Sequence, residues 1–160
     1  MTMISVDVGS GEPHEYASGI TTGEVVVNVH GKKSGAVAAL VDGIERDFSH
    51  VLDANCSVEA ITGDSEAGLY ILRHSCAHLL AQAVTELFPE AKPTIGPPIE
   101  HGFYYDFQMD PIGDEELRAI EKKMSEHVRA NHAVIREDHG NDVLREMFGG
   151  NPFKLEIMDD

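Results

Sequence analysis

The run Leu69-Tyr-Ile-Leu-Arg-His-Ser-Cys-Ala-His-Leu-Leu-Ala-Gln-Ala-Val-Thr-Glu-Leu-Phe88 contains neither proline nor glycine and repeats its apolar residues at helical spacing. Ser65 precedes it as an N-cap candidate, Glu66 suits the positive end of a helix dipole, and Pro89 marks its end. The chain must therefore accommodate one long helix and build around it. At about 100° per residue, Leu69, Leu72, Cys76, Leu80, Ala83 and Leu87 share one stripe predicted to face a core. His74 and His78 fall on roughly the opposite side, about 40° apart. Ala77 and Ala81 flank them and leave room for a ligand or another backbone. Two imidazoles beside a groove bind a metal or move protons.

Before this helix, small strands are predicted. Residues 3–8 alternate apolar and polar and meet Gly9-Ser10-Gly11, which reads as a hairpin with its return near His14–Tyr16. Thr21 and Thr22 offer N-caps with Glu24 following, so a short helix is expected there, although Val25, Val26, Val27 and Val29 lean toward strand. Ala36–Val41, Asp42-Gly43 and Ile44–Asp47 form a hairpin signal, because Asp-Gly supplies the positive φ values of a type I′ turn. Cys56–Ile61 alternates again. A compact β-rich α+β unit ends near Thr62, with Gly63-Asp64-Ser65 as the hinge.

After the long helix comes a loop from Lys92 to Pro98, then an aromatic strand over 101–107 with Tyr104 on one face and Phe103, Tyr105 and Phe107 on the other. A second helix is predicted from Asp114 to about Asn131, with Leu117, Ile120, Met124 and Val128 at helical spacing. A strand at 133–137, a short helix capped by Asn141 through Phe148, and a last strand at 153–157 complete the expectation.

Composition narrows the function classes. Lys and Arg total 12 against 28 Asp and Glu, a formal charge of −16, which argues against a broadly basic nucleic-acid surface. Any RNA contact is expected to be local. Such acidity also suits a surface adapted to high salt. Cys56 and Cys76 read as small buried hydrophobes and not as a disulfide framework, which fits a reducing cytoplasm. The first twenty residues carry no Lys or Arg and no continuous apolar run, so no secretory or mitochondrial signal and no membrane segment is expected.

By spacing alone, His74-x-x-x-His78 describes a surface pair as readily as a site. The zinc-protease pattern requires Glu directly after the first His, where Ser75 stands. Neither cysteine is spaced with the pair to complete a zinc site, so no metal is expected within this chain. His30-Gly-Lys-Lys-Ser-Gly35 lacks the first glycine of a phosphate loop, Val26 standing in its place, and reads as a helix exit. Asp114, Glu115 and Glu116 read as dipole-complementing residues of a helix start.

Three motifs in order, Leu72-Arg-His-Ser-Cys-Ala-His-Leu-Leu80, Pro93-Thr-Ile-Gly-Pro-Pro98 and Gly102-Phe-Tyr-Tyr-Asp106, closely resemble the N-terminal region of threonyl-tRNA synthetases. Residues 1–62 resemble that family's TGS domain, a ubiquitin-like β-grasp fold, and residues 63–160 the N-terminal part of its editing domain, also α+β, with a long His-bearing helix and C-terminally truncated. The resemblance implies that His74 and His78 form half of a site that hydrolyses serine wrongly attached to threonine tRNA. Lys154, in Asn-Pro-Phe-Lys154, stands at the position of a pocket lysine, and Tyr105 and Asp106 match pocket-side positions more loosely.

The family completes the site with a downstream Cys-x-x-x-His segment that does not occur in these residues, nor do its class II core and anticodon-binding domain. The resemblance implies ATP, Mg and zinc in that absent core, with no cofactor required by this chain. The partner it implies is the aminoacylated 3′ end of tRNA, in a cytoplasmic homodimer. Two other readings are a freestanding trans-editing hydrolase and a non-enzymatic TGS module that binds RNA or a partner.

Overall fold

The computed structural model describes residues 2–135 and 137–159. The chain forms two compact units, residues 1–72 and 73–160. Both mix helix and sheet, as the α+β expectation has it.

In the first unit, β1 (Met3–Asp7) pairs antiparallel with β2 (His14–Ala17). Next come β3 (Ile20–Thr21) and α1 (Thr22–His30). The hairpin of β4 (Ala36–Val41) and β5 (Ile44–Arg46) turns on Asp42 and Gly43, at φ 50° and 78°, as the Asp-Gly pair predicts. β6 (Val51–Leu52) pairs with β3, and β7 (Cys56–Thr62) enters the sheet centre, parallel to β1 and antiparallel to β4. The five-stranded order is β2-β1-β7-β4-β5.

The valine-rich run becomes α1 because its start is strongly capped. Thr21 Oγ1 accepts from the Glu24 amide, and Glu24 accepts from the Thr21 amide at 2.8 Å, a reciprocal capping box. Val25 and Val26 then bury against Ile4, Val6, Ala39, Val41, Leu52 and Val58, and this burial outweighs their small helix-propensity penalty. Buried Thr22 donates its hydroxyl to the His50 carbonyl.

The long helix α2 spans Glu66–Leu87, and Ser65 Oγ accepts from the Gly68 amide as an N-cap should. In the second unit it packs against α3 (Asp114–Ala130), with Ala83, Val84, Ala91 and Ile120 buried among Leu80, Phe88, Phe107, Met109, Ile112 and Met124. Asn131 caps the C-terminal end of α3, in the left-handed conformation at φ 49°.

The predicted core stripe of α2 holds only in part. Ala83 is buried and Leu80 is half-buried, but Leu69, Leu72, Cys76 and Leu87 are exposed, and Ala77 and Val84, off the stripe, are buried instead. The buried face is thus extended toward the histidines. Cys76 is not a buried hydrophobe, and Cys56 is half-buried.

Between α2 and α3 the chain forms two small ladders. β8 (Lys92–Pro93) pairs with β11 (Phe107–Gln108), and β9 (Pro98–Ile99) with β10 (Gly102–Phe103). The single aromatic strand expected over 101–107 is therefore split, with residues 104–106 unpaired as strand. Asn141 is the first residue of α4 (Asn141–Met147), and Gly140 takes the cap position. No strand forms among the described residues of 133–137; Arg136 lies outside them.

The last strand predicted, over 153–157, is instead helix α5 (Pro152–Asp159). Asn151 Oδ1 accepts from the Phe153 amide at 3.1 Å and the Lys154 amide at 3.4 Å, and Pro152 sits at the first helical position, where its missing N–H costs nothing. No helix among the described residues is long and apolar enough to cross a membrane.

Candidate functional site

His74 and His78 lie one turn apart on α2, and their Nε2 atoms approach to 2.7 Å. Their rings stack with centroids 4.6 Å apart. A contact of that length between two imidazole nitrogens requires one proton between them, one ring donating and the other accepting. Ala77, at 1% exposure, fixes the backbone from which both side chains leave.

Burial of Ala77 and Val84 extends the core face of α2 toward His78. Although the edge of His78 meets solvent, burial of its ring is the largest of three causes that hold its pKa below the ordinary imidazole value. The neighbouring charges of His74 and then Lys154 act in the same direction. His78 is thereby kept a neutral base near pH 7, within electrostatic reach of an ammonium group.

Lys154 leaves the first turn of α5 and donates from Nζ to the Thr94 carbonyl at 3.2 Å. Residues 93–96 form a strap with several ties. Asn151 Nδ2 donates to the Pro93 carbonyl at 2.9 Å. The Thr94 amide and hydroxyl both donate to the Asp106 carbonyl, and the Asp106 amide donates to the Ile95 carbonyl at 3.0 Å. Gly96 lies against the half-buried Tyr105 ring, so close that a Cβ there would stand 2.1 Å from its Cδ2. Tyr105 in turn stacks on Phe107 at 4.8 Å between centroids.

Of the five residues singled out from sequence, His74, His78 and Lys154 therefore share one electrostatic environment. Tyr105 and Asp106 join it through the strap, Tyr105 by its ring and Asp106 by its main chain, while the Asp106 side chain is exposed. Sequence reasoning missed Asn151 and Gly96. The Asn-Pro pair was the available signal for Asn151, as an N-cap followed by a proline suited to the first helical position.

A groove of about 670 Å³ lies elsewhere, lined by Phe88, Ala91, Met109 and Ile112 with Glu90 and Glu116 at its edge. It sits at the far end of α2, roughly 14 Å along the axis from His78, and none of the five residues lines it. Among the described residues, no group of three His, Cys, Asp or Glu side chains is gathered that would hold a metal ion.

The chain is homologous to aminoacyl-tRNA ligases. Its relatives are in particular threonine–tRNA ligases, matched at 40% identity over 159 residues in Parafrankia sp. (99% of this chain, 24% of the relative) and at 44% over 151 residues in Thermobifida fusca (94% and 22%). The threonine–tRNA ligase of Thermoplasma volcanium matches at 47% over 114 residues (71% and 17%). The resemblance read from the motifs is thus borne out by relatives along nearly the whole chain. The chain spans about a quarter of the length of the first two of these relatives. No protein-family model matches it.

Proposed function

We propose that this chain is the N-terminal part of a threonine–tRNA ligase, with a TGS domain of β-grasp type over residues 1–62 and the N-terminal part of an editing domain over residues 63–160. The five-stranded sheet with its parallel central pair and one packed helix supports the first assignment. In the whole ligase, threonine is joined to its tRNA using ATP by a class II core outside these residues, which is also where Mg and zinc are expected. The described residues gather no donor set for a zinc ion. The whole protein works in the cytoplasm as a homodimer.

The role of the second unit is hydrolysis of serine wrongly esterified to threonine tRNA. Serine is threonine without a methyl group, and a synthetic pocket rejects such a loss by only about 1–3 kcal/mol. A second, hydrolytic site supplies the remaining selectivity. The observation that carries this reading is the 2.7 Å His74–His78 contact beside a lowered His78 pKa. With His78 donating in the contact, its other ring nitrogen, Nδ1, accepts a proton from an attacking water or from the terminal ribose hydroxyl while the proton on its Nε2 passes to His74, and the reverse shift returns it. Lys154, Tyr105 and Asp106 line the side on which the aminoacylated 3′ end binds.

The test is incubation of the chain with seryl-tRNA and, separately, threonyl-tRNA. Selective release of serine supports the reading. No hydrolysis at any enzyme concentration removes it and leaves a TGS-containing binding module.

A further inference from the structure

Among the described residues, the Lys154 ammonium acts on His78 together with His74, yet it lies on a short helix with a flexible four-carbon stem, which by itself fixes nothing. What locates it is the residue three positions earlier. Asn151 is half-buried, and both ends of its amide are used in opposite senses. Its Oδ1 accepts from the amides of Phe153 and Lys154, which only donate, and its Nδ2 donates to the Pro93 carbonyl, which only accepts. The orientation of the amide is therefore forced by its partners.

We propose that Asn151 is a positioning residue of the His74–His78 site: it locks the first turn of α5 onto the 93–96 strap and so holds the Lys154 ammonium on the Thr94 carbonyl beside the imidazole pair. The two tethers are adjacent along the strap, Asn151 on Pro93 and Lys154 on Thr94. The second is a contact between a mobile side chain and a carbonyl, and it holds only while the first fixes the helix. Glutamine, with an extra methylene, and aspartate, without the donor, each lose one half of the bidentate geometry. Asparagine serves as cap and as tether together.

This inference deepens the deacylation reading, but its test does not depend on that reading. Serine at position 151 retains an oxygen to cap α5, but its shorter side chain lacks the reach to donate to the Pro93 carbonyl, with no change of charge. Proton NMR titration of the histidine rings in the intact chain, assigned by single His→Gln variants, reads the electrostatic position of Lys154 through His78. Lys154→Met sets the full effect of removing the ammonium, an upward shift of the His78 midpoint. Asn151→Ser is expected to reproduce most of that shift, to add nothing in the Asn151→Ser/Lys154→Met double variant, and to leave the His127 midpoint unchanged.

An unmoved His78 midpoint in Asn151→Ser overturns the proposal, as does an additive double variant. A shift of all histidines together also overturns it, because it marks general loosening. Absence of seryl-tRNA hydrolysis in the unsubstituted chain counts against the deacylation reading alone and leaves these midpoints as predicted.

Discussion

The Nε2 atoms of His74 and His78 stand 2.7 Å apart, so one imidazole donates its proton to the other across that contact. Burial of His78, aided by the charges of His74 and Lys154, lowers its pKa from 6.5. Seryl-tRNA hydrolysis is accordingly predicted to rise with pH and reach its plateau through a midpoint below 6.5. Stability follows the same sign: the unfolded imidazole binds a proton first as pH falls, so the contribution of His78 is complete above about pH 6.5 and is lost as pH drops through its folded value. A pH–rate profile and a pH series of urea unfolding check the two statements. A midpoint above 6.5 contradicts the first.

Ile120 is buried where α3 meets α2. Ile120→Ala is predicted to cost about 2–5 kcal/mol and Ile120→Val about 0.5–1.5 kcal/mol, by lost transfer energy and the cavity left behind. Urea unfolding reads both. Equal effects from the two substitutions would show that this contact is not packed as described.

Glu86 joins the same two helices, accepting from Lys123 Nζ at 2.9 Å and lying 3.1 Å from His127 Nε2. Hydrogen bonds from Lys123, then Gln82, push its carboxyl down to about 2. Because the folded pKa is depressed, the stabilisation is present above about pH 4.5 and is lost as pH falls toward 2. Glu86→Gln is predicted to remove that part of the acid transition, which thermal unfolding between pH 5 and about 2 would detect. Glu86 is exposed, so added salt weakens the effect.

A methyl group at position 96 has no space beneath Tyr105. Gly96→Ala is predicted to destabilise by about 1–3 kcal/mol as the ring is displaced, and Tyr105→Ala in the same chain to relieve most of that cost. A double-mutant cycle by chemical denaturation measures the coupling, expected at about 0.5–3 kcal/mol. Independent, additive effects would contradict the packing of the strap.

The formal charge of −16 makes self-repulsion a standing cost to the folded chain. Its stability is predicted to rise as moderate salt screens that repulsion, and thermal unfolding from 0.05 to about 1 M salt reads the trend. Unfolding as salt rises would reject an acidic surface suited to high salt.

What was legible in the sequence depended on local signals that agree with one another. The Thr21–Glu24 box, the Asp42-Gly43 turn and the periodic apolar run of α3 each combine a boundary residue with a pattern, and each element appears where expected. Phe153-Lys-Leu-Glu-Ile157 alternates over too few residues to distinguish strand from helix, since residues 153 and 157 also share a helix face. Asn151 and Pro152 carried the deciding signal. On α2 the predicted stripe reached the core at Leu80 and Ala83, but Ala77 and Val84 are buried where Leu69, Leu72 and Leu87 are exposed, because which side of a helix meets the rest of the fold is decided by tertiary contacts that hydrophobic periodicity does not encode. The histidine pair was legible as a spacing. The strap and the Asn151 tether depend on residues distant in sequence from it.

The central claim is that His74 and His78 act together on an ester, and single-turnover release of serine from seryl-tRNA tests it most directly. The account predicts that the chain at excess over substrate releases serine faster than threonine, and that His78→Ala and His74→Ala each abolish the difference. Release of serine at an undiminished rate by both variants, or at the uncatalysed rate by the unsubstituted chain, would contradict it.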